Sequence, residues 1–202
     1  MIRRLHALAR DRRGATIIEF AIVTPVMLLL IMGLSEICYQ AYVQVVLSGA
    51  MQKAGRDSAI QGSAQKTADI DSIVMNAVWQ IAKKATYVST RKNYYQFGNT
   101  KGEPFTDSQK NGSWSYDGVC NHGEPYTDIN NDGSYSLDPG SSGQGGPNDA
   151  VVYTVKVTFP HLFPLGKVIG WSADQTITST TILKNQPYAT QSTRGTTTRN
   201  CT

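Results

Sequence analysis

Apolar positions along this chain follow three rhythms, and each predicts a different element. From Ala15 to Ser35 nearly every residue is apolar or small, the exceptions being Thr16, Glu19 and Thr24, with Pro25 beside the last; the run ends at Ile37. About 20 such residues, rising ~1.5 Å each in a helix, match a hydrocarbon core of ~30 Å. Beyond it Val43, Val46, Leu47, Ala50, Met51 and Ala54 recur at helical spacing, with Gln40, Gln44, Ser48, Gln52 and Arg56 on the other side. The pattern predicts one helix from about Ala15 to about Ile60, ending near Gly62. Its first half would cross lipid, and its second half would lay a core face on a soluble domain. Pro25 removes one backbone bond in the first half, which membrane helices tolerate. A second helix is expected over Asp69–Thr86, with Ile70, Ile73, Val74, Ala77, Val78, Ile81 and Ala85 on one face and Trp79 as a packing anchor. Asp69 and Asp71 would stand at its positive end, Lys83 and Lys84 at its negative end.

After Tyr87 the period changes to two. Tyr94–Phe97 and Ser113–Tyr116 are short β-like runs between turn residues. Val151–Phe159 alternates an apolar set (Val151, Tyr153, Val155, Val157, Phe159) with a mostly polar one, so one face is expected to be buried. Pro160 ends that strand, and the β-branched stretch Thr176–Leu183 is its expected partner. Residues 160–174 would join the two, with Phe163, Leu165 and Trp171 covering the sheet or touching a membrane surface. The tail after Tyr188 is polar and Thr-rich and reads as flexible. The fold class is therefore α+β: a long N-terminal helix, a second helix and a small antiparallel sheet.

Charge changes this picture by giving the helix a direction. Arg3, Arg4, Arg10, Arg12 and Arg13 precede the apolar run, and no Lys or Arg follows until Lys53. That asymmetry places the N-terminus in the cytoplasm and the rest of the chain across the membrane. The formal net charge is +4, but the first 14 residues hold five arginines and one aspartate, so the remainder is close to neutral. The basic balance is a property of the leader and does not imply a nucleic-acid partner. Of the three cysteines, Cys38 stands at the membrane exit, and Cys120 and Cys201 would lie in an oxidising compartment. A bridge between those two is one reading and a free or intermolecular thiol is the other; the odd count leaves at least one unpaired within a monomer.

The odd residue of the apolar run is Glu19, since a carboxylate in a membrane helix is costly and marks function. Gly14 followed by Ala15-Thr16-Ile17-Ile18-Glu19-Phe20 resembles a type IV prepilin processing site. The Glu19-Phe20 pair, together with Glu36 at the far end of the run, is similar to TadE-like minor pseudopilins of tight-adherence (Tad) pili. Gly143–Asp149, Val151–Val155 and Leu183–Tyr188 are similar to the C-terminal parts of TadE-like sequences. The resemblance implies cleavage after Gly14 by a membrane-embedded aspartic prepilin peptidase, making Glu19 the fifth mature residue. It also implies that the partners are other pilin-like subunits, the Tad assembly machinery and the bacterial inner membrane. In physical terms, Gly14 lets an extended backbone enter a protease cleft. Cleavage creates an amine at Ala15 for which Glu19, in the same or a neighbouring chain, is a counter-charge, and that pair would set the register of neighbouring helices.

Asp128-Ile129-Asn130-Asn131-Asp132-Gly133 fits the start of a calcium loop, D-x-[DN]-x-[DN]-G. Ser134 would add a backbone carbonyl and Asp138 a late carboxylate. The residue that should be a bidentate Glu is Pro139, however, and no helix flanks the loop, so a solvated acidic turn competes with the ion-binding reading. No nucleophile-elbow, metalloprotease or phosphate-loop motif appears. These readings divide the chain into a cytoplasmic leader (1–14), a membrane helix (15–37), a periplasmic domain (38–188) and a polar tail (189–202). They lead to a minor pilin-like subunit acting in Tad-type pilus assembly, not an enzyme, with no cofactor unless calcium. The alternative is a single-pass, membrane-anchored periplasmic binding module, calcium-dependent if the acidic loop takes the ion.

Overall fold

In the computed structural model of the 202-residue chain, the described residues are 13–58, 67–107, 117–163, 170, 172–186, 189–191 and 195–202. Helix α1 runs unbroken from Arg13 to Ser58, through Pro25. At ~1.5 Å per residue it is roughly 70 Å long. Helix α2 (Thr67–Trp79) follows. Strand β1 (Thr86–Tyr94), a 3-10 turn (Phe97–Thr100), β2 (Pro125–Asp128), the short β3 (Ser141–Ser142), β4 (Ala150–Pro160), β5 (Asp174–Lys184) and β6 (Thr197–Asn200) complete the order. The fold is α+β, as expected.

Two compact units emerge. The first comprises residues 1–43 and 160–175, and the second residues 44–159 and 176–202. Within the second, a four-stranded sheet has the order β3-β1-β4-β5. Strands β1 and β4 are antiparallel along their length, with Thr86 opposite Thr158 and Tyr94 opposite Ala150. Hydroxyl pairs Thr154–Thr180 and Thr158–Thr176 run in opposite directions along β4 and β5, so this pair is antiparallel too. One face of the sheet is buried: Val151, Tyr153, Val155 and Val157 on β4, Ile177 and Leu183 on β5. Leu47, Met51 and Ala54 of α1 and Ile70, Val74, Met75 and Val78 of α2 supply the helical side of that core. Helix α1 approaches β5 at Gly55, where a Cβ would stand in ordinary contact, 3.4 Å from the Thr181 side chain. Thr176, Thr178, Thr180 and Val88 lie on the opposite, open face.

Three elements differ from expectation. Helix α2 stops at Trp79 instead of reaching Thr86. The Val78 carbonyl accepts from both Ile81 N and Ala82 N, closing a turn, and the Trp79 indole N–H caps the Ala85 carbonyl at 2.9 Å. Lys83 and Lys84 therefore lie beyond the helix end. Strand β1 is an added element; Tyr94 is its last residue, and residues 95–97 bend away from it. The expected β-like run at 113–116, and Leu165 and Trp171, lie outside the described residues. Within the polar C-terminal stretch, β6 pairs antiparallel with β2, Asp128 opposite Thr197 and Pro125 opposite Asn200. Cys120 and Cys201 are joined by a disulfide, Cα–Cα 5.9 Å, and Cys38 is free and exposed.

Candidate functional site

The first half of α1 leaves its apolar side chains uncovered. Ile17, Ile18, Phe20, Ile22, Leu30, Leu34 and Ile37 are all exposed, Phe20 at 71%. The two hydroxyls near its middle and end turn back on the helix: Thr24 donates to the Phe20 carbonyl at 2.6 Å and Ser35 to the Ile31 carbonyl at 2.7 Å. Both are thereby satisfied without water, as hydrocarbon surroundings require. This one apolar N-terminal helix fits a single-pass membrane anchor.

Gly14 lies in the first turn of α1 and is exposed, and among the described residues nothing outside its own helix turn comes within 4 Å of where a Cβ would stand. Ala15 follows it in the helix. Glu19 is exposed one turn further on, and its carboxylate has no partner among the described residues. Glycine, carboxylate and Phe20 thus occupy two successive turns of an uncovered helix.

At the other end of the run stands a second carboxylate. Glu36 is only 6% exposed and gathers the connection between β4 and β5. Its Oε1 accepts from Gln175 Nε2 at 3.0 Å and lies 3.0 Å from His161 Nδ1, while Oε2 accepts the backbone N–H groups of Leu162 (3.0 Å) and Phe163 (3.3 Å). A carboxylate can be buried when its lone pairs are taken in this way. The sequence marks Glu36 as an acidic residue closing an apolar run. Its partners, 125 to 139 residues away, leave no local signal.

The acidic loop has the turn geometry of its pattern. Gly133, at φ 82°, donates to Asp128 Oδ2 (3.0 Å), Asp132 N donates to Asn130 Oδ1 (3.1 Å), and Ser134 N donates to Asp132 Oδ1 (2.8 Å). Its charge is answered from within the chain. Fully buried Asp128 accepts from Arg199 Nε at 2.7 Å, and Glu103 takes the N–H groups of Ile129 and Ser136. Asp138 is engaged elsewhere, with Lys92 and with the Tyr94 hydroxyl. Those two hydrogen bonds, Lys92 first, hold Asp138 below the usual carboxylate range. Burial first, then Asp138, pushes the Tyr94 hydroxyl up to about 12. No cluster of three or more acidic, His or Cys groups suited to a metal occurs among the described residues. The loop is a closed acidic turn whose carboxylates are hydrogen-bonded within the chain.

The two C-terminal stretches singled out in the sequence meet in space. Asn185 (within Leu183–Tyr188) donates through Nδ2 to the carbonyls of Gln144 and Gly146, both at 2.8 Å, and its backbone N–H donates to the Asp149 carbonyl. Asp149 Oδ2 accepts from Gly146 N at 2.8 Å. Gly145, at φ +70°, has no room for a Cβ, which would stand 2.6 Å from Asp149 Oδ2 and 2.7 Å from Asn93 Cβ. This is a structural clasp at the end of β5.

A family model described as TadE-like protein matches residues 14–56. The match begins at Gly14 and runs almost to the end of α1, and over it the chain is similar to TadE-like proteins. No curated protein and no solved structure matches the chain.

Proposed function

We propose that this TadE-like chain is a minor pilin-like membrane subunit acting in Tad-type pilus assembly. Its leader, residues 1–14, stands in the cytoplasm, a prepilin peptidase cuts between Gly14 and Ala15, and residues 38–202 lie in the periplasm. The observation that carries this reading is where the family match starts: at Gly14, the residue after which the spacing to Glu19 calls for a cut. The uncovered apolar surface of α1 supports it, because a helix that packs against lipid and then against neighbouring subunits has to keep that surface clear of its own domain. Gly14, with nothing crowding it, supports access of a protease cleft. In this role the chain is a peptidase substrate and a packing partner, and it performs no chemistry itself.

Intact-mass measurement of the chain, purified from cells expressing the cognate peptidase, tests the proposal. A mature N-terminus at Ala15 is expected, and Gly14→Val should leave the leader attached by crowding the cleft. A wild-type chain that still begins at Met1, in cells that process their other prepilins, would sink the reading. It would leave an anchored periplasmic domain.

A further inference from the structure

Glu36 does more than close the apolar run. It fixes the first residues of the β4–β5 connection against the last turn of that run. The backbone N–H groups of Leu162 and Phe163 both point at its carboxylate, and Gln175 reaches the same group from the far end of the connection. The neighbours of Glu36 along α1 are Leu34 and Ile37, each 65% exposed. Leu162, tethered to Glu36, is itself 51% exposed. An exposed leucine tethered at the edge of an uncovered apolar helix extends that helix's apolar surface sideways. Phe163 follows Leu162, half-buried, and an aromatic ring next to an exposed leucine suits the boundary between headgroups and acyl chains.

We propose that the start of the β4–β5 connection is a second membrane contact, with Leu162 seated in the headgroup–acyl boundary of the outer leaflet and Glu36 as the positioning residue that sets its depth. This rests on the single-pass reading, because the depth of residue 36 is set by the span that precedes it. Buried under the connection, the Glu36 carboxylate keeps the Gln175, Leu162 and Phe163 donors, with His161 Nδ1 beside it. The occupant is the bilayer surface because the Leu162 N–H is bonded to Glu36, the residue that closes the span, so residue 162 stands at the depth of the span's outer end. A soluble partner would have to dock against lipid to reach it.

The test uses the full chain in lipid vesicles, with Cys38→Ser and the Cys120–Cys201 bridge intact. A polarity-sensitive fluorophore is attached at Leu162→Cys, and in separate samples at Leu30→Cys within the span and at Val88→Cys on the open sheet face. Nitroxide-bearing lipids and a water-soluble quencher are then compared. The expected result is lipid quenching at position 162 several-fold above that at position 88, with headgroup-level nitroxide more effective than mid-chain nitroxide, whereas at position 30 the order reverses. Adding Glu36→Ala should lower lipid quenching at position 162 several-fold and leave position 30 unchanged. If position 162 behaves like position 88 while position 30 is quenched from lipid, the span stands and the second contact is wrong. If position 30 is quenched only from water, the single-pass reading falls and this proposal falls with it.

Discussion

Asp71 shows how a single carboxylate joins helix to sheet. On α2 it accepts hydrogen bonds from the Ser89 hydroxyl, the Tyr153 hydroxyl and the Arg91 guanidinium, with Nη2 at 2.6 Å. Arg91 also stacks over the Tyr153 ring, 4.0 Å from its centroid. Burial alone would raise the Asp71 pKa, but the bonds from Arg91, Ser89 and Tyr153 bring it below the ordinary value. Burial and the Asp71 carboxylate push the Tyr153 hydroxyl well up, so it remains the proton donor. Removing one partner of such a pair leaves the other charge buried and unanswered, at about 3 kcal/mol or more. Asp71→Ala should therefore destabilise the folded domain by roughly that amount in urea unfolding. The loss should be full above the unfolded pKa of about 3.9 and shrink as pH falls through the lower folded value, since a depressed carboxylate stabilises only while ionised. A deficit that stays constant from neutral pH down to pH ~2 would show that packing, not the ion pair, is responsible.

At the scale of elements, the C-terminal strand is the most dependent on one constraint. All four side chains of β6 are exposed, so its pairing with β2 buries little apolar surface. The disulfide closes it instead, across a sequence separation of 81 residues, and Cys201 N donates to the Glu124 carbonyl at 2.8 Å beside it. Constraining a loop of that length is worth on the order of 4 kcal/mol in the chain-entropy account. The paired variant Cys120→Ser with Cys201→Ser should free β6, seen as loss of hydrogen-exchange protection at Arg199, opposite Tyr126, while the β4 amides stay protected. Unchanged protection would mean that Arg199–Asp128 and the ladder hold the strand unaided. The same strand explains what the sequence hid. Alternation made β4 legible, and β-branched density made β5 legible. No hydrophobic rhythm marks a four-residue polar strand whose partner lies about 70 residues back. Strand β1 was concealed differently. Ile81 and Ala85 continue the helical period past Trp79, while the turn at Val78 and the β-branched start of β1 at Thr86 decide the outcome. The N-terminal motif was readable because Gly14, Glu19 and Phe20 lie within two turns of one helix. The Glu36 tether and the Asn185 clasp join residues far apart in sequence, and only the fold brings them together.

For the molecule as a whole, α1 is the element with two environments. Its first half offers Phe20, Leu30 and Leu34 to the surroundings, and its second half gives Leu47, Met51 and Ala54 to the core of the sheet-bearing unit. Under the proposed function, assembly through the first half would turn on Glu19, exposed on that surface. Under the assembly reading its partner is the new amine at Ala15, in its own or a neighbouring chain. Glu19→Ala should leave membrane insertion intact or improve it, because a carboxylate leaves the helix. It should still lose association with partner pilins. Glu19→Gln is the sharper control: it keeps size and hydrogen-bonding capacity and removes only the charge. Breaking a buried ion pair by removing one partner costs ~3–5 kcal/mol, a factor of a hundred or more in an association constant. The measurement is co-purification with partner pilins and surface pilus counts, in strains expressing each variant at equal level and confirmed to cut after Gly14. Both variants should insert and be processed yet fail to assemble. Wild-type assembly in both would remove Glu19 from the mechanism, because a plain anchor has no use for its charge and a register-setting ion pair cannot do without it.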